Sequence, residues 1–105
     1  MRVGEFVVVH LVSPREKFWG LLEAKDSSGV TVRGLSLEAF EDWLREISRE
    51  GASSVSPATV FFPIHRVERV FVDETSGDLV SCADRFRRLT GEDARSRLVR
   101  EMPED

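Results

Sequence analysis

The apolar positions along the chain change period twice, and the changes divide it into four stretches. Residues 3 to 12, VGEFVVVHLV, form a β-branched run too continuous for a strand with one wet face, so a first strand covered on both faces is expected. Ser13-Pro14-Arg15-Glu16 supplies turn chemistry, and KFWGLLEAK after it reads as a second strand. Asp26-Ser27-Ser28-Gly29 then turns the chain into VTVRGL, a short third strand, with Asp26 capping the turn. The three predict an antiparallel meander. Gly20 lies inside the second strand, where a missing side chain permits sharp bending or close backbone approach, and a strongly bent sheet is implied.

From Ser36 the period becomes helical. Leu37, Phe40, Trp43, Leu44 and Ile47 share one face, Ser36 stands at the N-cap and Gly51 just past the end, so a helix over about 36–50 is predicted. Its other face, with Glu41, Asp42, Arg45, Glu46 and Arg49, reads as solvated. The small polar linker GASSVSP follows, and ATVFFPIHRVERVFVDE returns to strand character in two segments, about 58–63 and 65–72, bent or broken at Pro63. Val60-Phe61-Phe62 does not alternate, so two apolar surfaces there need covering. After the turn Thr75-Ser76-Gly77-Asp78, Leu79, Cys82, Phe86 and Leu89 predict a second helix. Thr90 with Asp93 reads as the capping box of a short third one through Leu98, within a helical extension over 78–99, and the closing EMPED is expected to fray.

Composition adds boundaries more than chemistry. One domain is expected from 105 residues, and no apolar run approaches the roughly 20 residues of a membrane helix. MRVGEF leads straight into a strand without the pattern of a secretion signal, so a cytoplasmic protein without a membrane partner is expected. Cys82 is the one cysteine, which forbids an internal disulfide and suits a reducing compartment. The formal charge of −4 argues against a generic polyanion binder, although residues 84 to 100 hold six Arg against three acids.

Three strands, a variable connection and two further strands follow the order of the Sm-like small barrel. VVVHLV, a turn and FWGLLEAKD resemble the first motif of that family's bacterial Hfq branch, in which a strand Gly precedes an Asp by six residues, here Gly20 and Asp26. VFFPIHRVERVFV resembles the second motif, in which a His opens the last strand, here His65. The resemblance implies a mainly β fold: a five-stranded, strongly bent SH3-like or Sm-like barrel over 3–72, a helix inserted between the third and fourth strands, and added C-terminal helices. It also implies a ring of copies in which the fourth strand of one subunit pairs with the fifth of the next. Such pairing would satisfy open backbone edges and bury Val60, Phe61, Phe62, Phe71 and Val72, the expected oligomer interface.

The pocket residues of that branch are not carried over. The Tyr and Lys that precede its His are replaced by Pro63 and Ile64, its stacking aromatic by Ser28, and the Asn of eukaryotic-type Sm proteins by Val30. Base stacking and base-edge contacts carry most single-strand recognition. The expected role is therefore a non-enzymatic, ring-forming Sm-like assembly module, with a protein partner on helix 37–50 or the C-terminal helices. The alternative is an RNA-binding protein with a divergent pocket, which would bind single-stranded RNA through His65, Arg66, Arg85, Arg88 and Arg95. A small-molecule-binding barrel is a third.

Each candidate also has a plainer role. His65 suits a strand end bonded to backbone, His10 an interior or interface position, Trp19 and Trp43 packing, and the arginines a solvated helix face. Two His and one Cys at distant positions have no zinc-ligand spacing, no GxSxG context supports a nucleophile, and Gly29, Gly34 and Gly77 stand alone without a phosphate-cradling loop. No metal, no cofactor and no catalytic activity is expected.

Overall fold

The computed structural model describes residues 1–100. Strands β1 (Phe6–Leu11), β2 (Glu16–Asp26) and β3 (Gly29–Ser36) form the meander, followed by helix α1 (Leu37–Glu50). Strand β4 (Ala58–Pro63) meets β5 (Val67–Val72) through a 3₁₀ turn (Ile64–Arg66), and helices α2 (Cys82–Thr90) and α3 (Ala94–Arg100) close the order. The strands make one antiparallel sheet in the order β4-β3-β2-β1-β5, with three helices added. EMPED, expected to fray, lies outside the described residues.

The connection between β4 and β5 dictates the shape of this sheet. Neighbouring strands lie about 4.8 Å apart, so a flat sheet of this order would hold β4 and β5 about 19 Å from each other. A three-residue 3₁₀ turn spans only about 8 Å, and the sheet must curl until its two edges approach at that end. Phe18 on β2 and Phe62 on β4 show the same curvature: β3 runs between their strands, yet their rings meet edge-on with centroids 5.1 Å apart. Curling also explains how Val7, Val9, Leu22 and Val32 are completely covered on a face that no helix overlies.

The bend is built into β2 and β3. Gly20 and Gly34 are cross-strand partners, and a Cβ on either would fall inside the opposite backbone, 2.2 Å from the Arg33 carbonyl oxygen for Gly20 and 1.9 Å from that of Trp19 for Gly34. Only two glycines can cross so closely. A register shift between Leu22 and Ala24 adds a bulge to the same strand and increases its twist.

The outer face carries the second core. Trp19, Leu21 and Leu35 meet Phe40, Trp43, Leu44 and Ile47 of α1, Phe86 of α2 and Leu98 of α3. Helix α1 forms as its spacing predicts: the Ser36 hydroxyl accepts from the Ala39 N–H, and Gly51, at φ 77°, ends the last turn. Both tryptophans are packed in this core, and Asp26 accepts from the Ser28 N–H in the β2–β3 turn. Strand β1 is covered unequally, with Val7, Val9 and Leu11 buried inside and Phe6, Val8 and His10 half-covered outside.

Several expectations need correction. The sheet is open rather than a closed barrel: β4 pairs only with β3 and β5 only with β1, because the 3₁₀ turn joins them end to end and not side by side. His65 consequently sits in the turn and does not open β5. In the C-terminal extension, α2 begins at Cys82 and leaves Leu79 exposed before it, while Leu89 faces outward. Thr90 does not cap α3: Gly91 ends α2 only after it, so its hydroxyl bonds back to the Phe86 carbonyl, and Asp93 receives the Arg95 N–H.

Candidate functional site

The two outer edges of the sheet are the first candidate. On β4, strict alternation sends neighbouring phenylalanines to opposite faces: Phe61 stands outward, 53% exposed, and Phe62 is buried against Phe18. Phe62 therefore belongs to the interior of this chain and not to an interface, and Val60 lies half-buried beside it on the inner face. On β5, Phe71 is 45% exposed on the outer face, between the His10 ring at 4.9 Å and the Arg69 guanidinium at 5.9 Å. Val72 is half-buried opposite Val7. Phe61 faces Thr31 and Phe71 faces Val8 across their ladders, so both rings emerge on the side that carries the helices. Among the described residues each edge strand has one ladder side without a strand partner, and unpaired edges are templates for another chain.

His10 is part of this outer surface. Its own burial, then the charges of Lys17 and Arg69, push its pKa below the ordinary histidine value.

The predicted RNA contacts are distributed over different parts of the fold. His65 is exposed on the 3₁₀ turn. Arg66, next to it, is turned into structure: its Nε donates to the Val12 carbonyl (3.1 Å), its Nη2 to the Pro14 carbonyl (2.9 Å), and Glu16 lies 3.8 Å away. Arg85 reaches from α2 to α1, holding both carboxylate oxygens of Glu41 at 2.7 and 3.0 Å over the ring of Phe40. The hydrogen bonds from Arg85 hold the Glu41 carboxyl below its usual range. Arg95 lies over Phe6, whose ring stacks on Trp19, and Arg88 is exposed on α2. His65 and Arg66 share a turn and Arg85 and Arg88 share a helix; Arg95 stands on a third element.

Two charged residues that the sequence reading passed over organise the interior. Arg33 is 2% exposed beneath α3, with Nε donating to the Leu98 carbonyl and Nη1 to the Pro57 carbonyl, both at 3.3 Å; Nη2 has no hydrogen-bond partner among the described residues. Asp73, just after β5, accepts from the Trp19 indole (3.0 Å) and from the first N–H groups of α2 at Cys82 and Ala83. It joins sheet, core tryptophan and helix N-terminus in one carboxylate. Asp73 stands nine residues before Cys82, so no local signal in the sequence marks it as a partner of α2.

Burial, with the Asp73 charge adding, pushes the Cys82 thiol up to about 12, which keeps it protonated and weakly nucleophilic. Among the described residues no cluster of His, Cys, Asp and Glu could hold a metal ion, and no helix is long and apolar enough to cross a membrane. A cavity of about 510 Å³ lies between Arg15, Glu16 and Lys17 and the start of α1, and one of about 260 Å³ between α1 and α2. Comparison with family models, with curated proteins and with solved structures finds no match.

Proposed function

We propose that the chain is a non-enzymatic, self-assembling Sm-like module in which β4 of one copy adds to β5 of the next, and that α1, α2 and α3 carry a docking surface for a partner protein. The observation that carries this is the pair of open edges on one curled sheet, each bearing an exposed phenylalanine on the same face. Edges of different sequence join head to tail, and repetition of one rotation closes a ring. Strand addition would satisfy the free backbone groups of both edges and set Phe61 of one copy beside Phe71 of another. The Sm-like comparison gains support from the strand order, the helix between β3 and β4, the short β4–β5 link and the Gly20–Gly34 crossing.

Substituting Phe61→Lys tests it. A lysine on the edge opposes strand addition, while an already exposed ring contributes little to the fold of one copy. The variant is expected to shift the protein to single copies with a melting temperature close to that of the parent chain's subunit. Assemblies unaffected by both Phe61→Lys and Phe71→Lys would remove edge pairing as the mechanism.

A further inference from the structure

We infer that the groove between α1 and α2 binds an acidic amphipathic segment of a partner protein, anchored by an apolar side chain on Leu89. This deepens the docking role proposed for the helices and is independent of whether copies assemble through their edges. The groove encloses about 260 Å³ and is lined by Glu41, Leu44, Arg45, Ser48, Arg49, Arg85 and Leu89.

Its chemistry combines two features that point to one class of occupant. The first is apolar: Leu44 is buried at the groove, while Leu89 is 56% exposed on its wall, a large aliphatic surface left facing water three residues after the fully buried Phe86. The second is charge. The lining holds three arginines and one carboxylate, in a chain whose formal charge is −4. Glu41 neutralises Arg85 and Asp42 pairs with Arg45, but Arg49 has no ion-pair partner among the described residues, nor has Arg88, one position before Leu89. Carboxylates flanking an aliphatic anchor would meet both features at once, with the charges setting approach and specificity and the anchor supplying contact area.

The groove is also formed in advance. The Ser48 hydroxyl donates to the Leu89 carbonyl (3.3 Å) and the Arg85–Glu41 fork bridges the same two helices, so little ordering is left to the binding step. A nucleic-acid strand fits less well, because no aromatic side chain lines the groove to stack a base.

The test uses the intact chain and a fluorescently labelled synthetic peptide of leucine and glutamate in helical period, with a lysine-for-glutamate twin as control. At low salt the glutamate peptide is expected to bind and the twin not, with Leu89→Ala and Arg49→Glu each weakening binding about tenfold. Both positions are exposed, so circular dichroism should show unchanged folding. The Phe61→Lys chain is expected to bind the peptide as the parent does, so loss of assembly and loss of docking are read separately. Equal binding of both peptides, binding that neither substitution weakens, or displacement of the glutamate peptide by a uridine oligonucleotide at low concentration would overturn the inference.

Discussion

Gly34→Ala should be among the most damaging small substitutions in the chain, although it adds one methyl group. The new Cβ would sit 1.9 Å from the Trp19 carbonyl oxygen and 2.6 Å from the Cα of Gly20, both backbone atoms of the adjacent strand. Ordinary contact begins at 3.4 Å, so β2 and β3 would have to part by about 1.5 Å at the centre of the sheet. Ladder hydrogen bonds near 2.9 Å do not survive such a separation, and no side chain can move aside instead. Overpacking of about 1–3 kcal/mol and the loss of one or two ladder bonds at about 1 kcal/mol each give roughly 2–5 kcal/mol. Against a total of about 5–15 kcal/mol for a domain, that is a large share, equivalent to a fall of at least about 8 °C in melting temperature. Gly51→Ala is the control: a Cβ there meets nothing within 4 Å and costs only its positive φ, about 1 kcal/mol. Urea and thermal unfolding of the three proteins decide the matter. Because Gly20 and Gly34 face each other, the double alanine variant should cost less than the sum of the two single ones. A Gly34→Ala chain within about 1 kcal/mol of the parent would refute the close crossing, and with it the origin of the curl.

Other consequences concern charge and reactivity. Asp73→Ala strands the buried Trp19 indole N–H and takes the acceptor from the Cys82 and Ala83 N–H groups at the start of α2, where Ser81 remains the N-cap, and should cost about 2 kcal/mol by urea unfolding, with a change in tryptophan emission. Acid should weaken the fold in two stages. His10 has a lowered pKa, so below pH 6.5 the unfolded chain takes up its proton first and stability falls, a stage that His10→Gln should abolish. Glu41, Glu46 and Glu92, held below 4.5 by hydrogen bonds from Arg85, from Ser54 and Ser53, and from Arg100 and Arg97, contribute fully above 4.5 and are lost as pH drops through their folded values. A melting temperature that rises on acidification through either range would contradict these assignments. Cys82, with its thiol near 12, should react with a thiol reagent at neutral pH far more slowly in the folded chain than in urea; equal rates would show the site to be open.

Elements governed by local pattern were readable in the sequence, and those governed by distant partners were not. Helix α1 carries its own signals, an apolar stripe between Ser36 and Gly51, and folds between them. Val60-Phe61-Phe62 gives no local hint of which ring turns inward; the ladder to β3 decides it, placing Phe62 opposite Val30 on the inner face. Helical spacing joins Leu79 and Leu89 to Cys82 and Phe86, but α2 starts only at Cys82 and buries Phe86 alone, which leaves both leucines exposed. Arg85 and Arg66 are open to reading as phosphate contacts because their partners are remote: Glu41 lies 44 residues from Arg85, and the carbonyls that hold Arg66 lie more than 50 residues away. Nothing local to VTVRGL marks Arg33 as buried: the carbonyls it binds in the interior come from Pro57 and from Leu98 of α3, 24 and 65 residues further along the chain.

Light scattering across a size-exclusion peak, at micromolar concentration, bears most directly on assembly through open edges. A molar mass that is a whole multiple of 11.9 kDa, falling to 11.9 kDa in the Phe61→Lys chain, is the expected result. A parent protein that elutes at 11.9 kDa under the same conditions would contradict it.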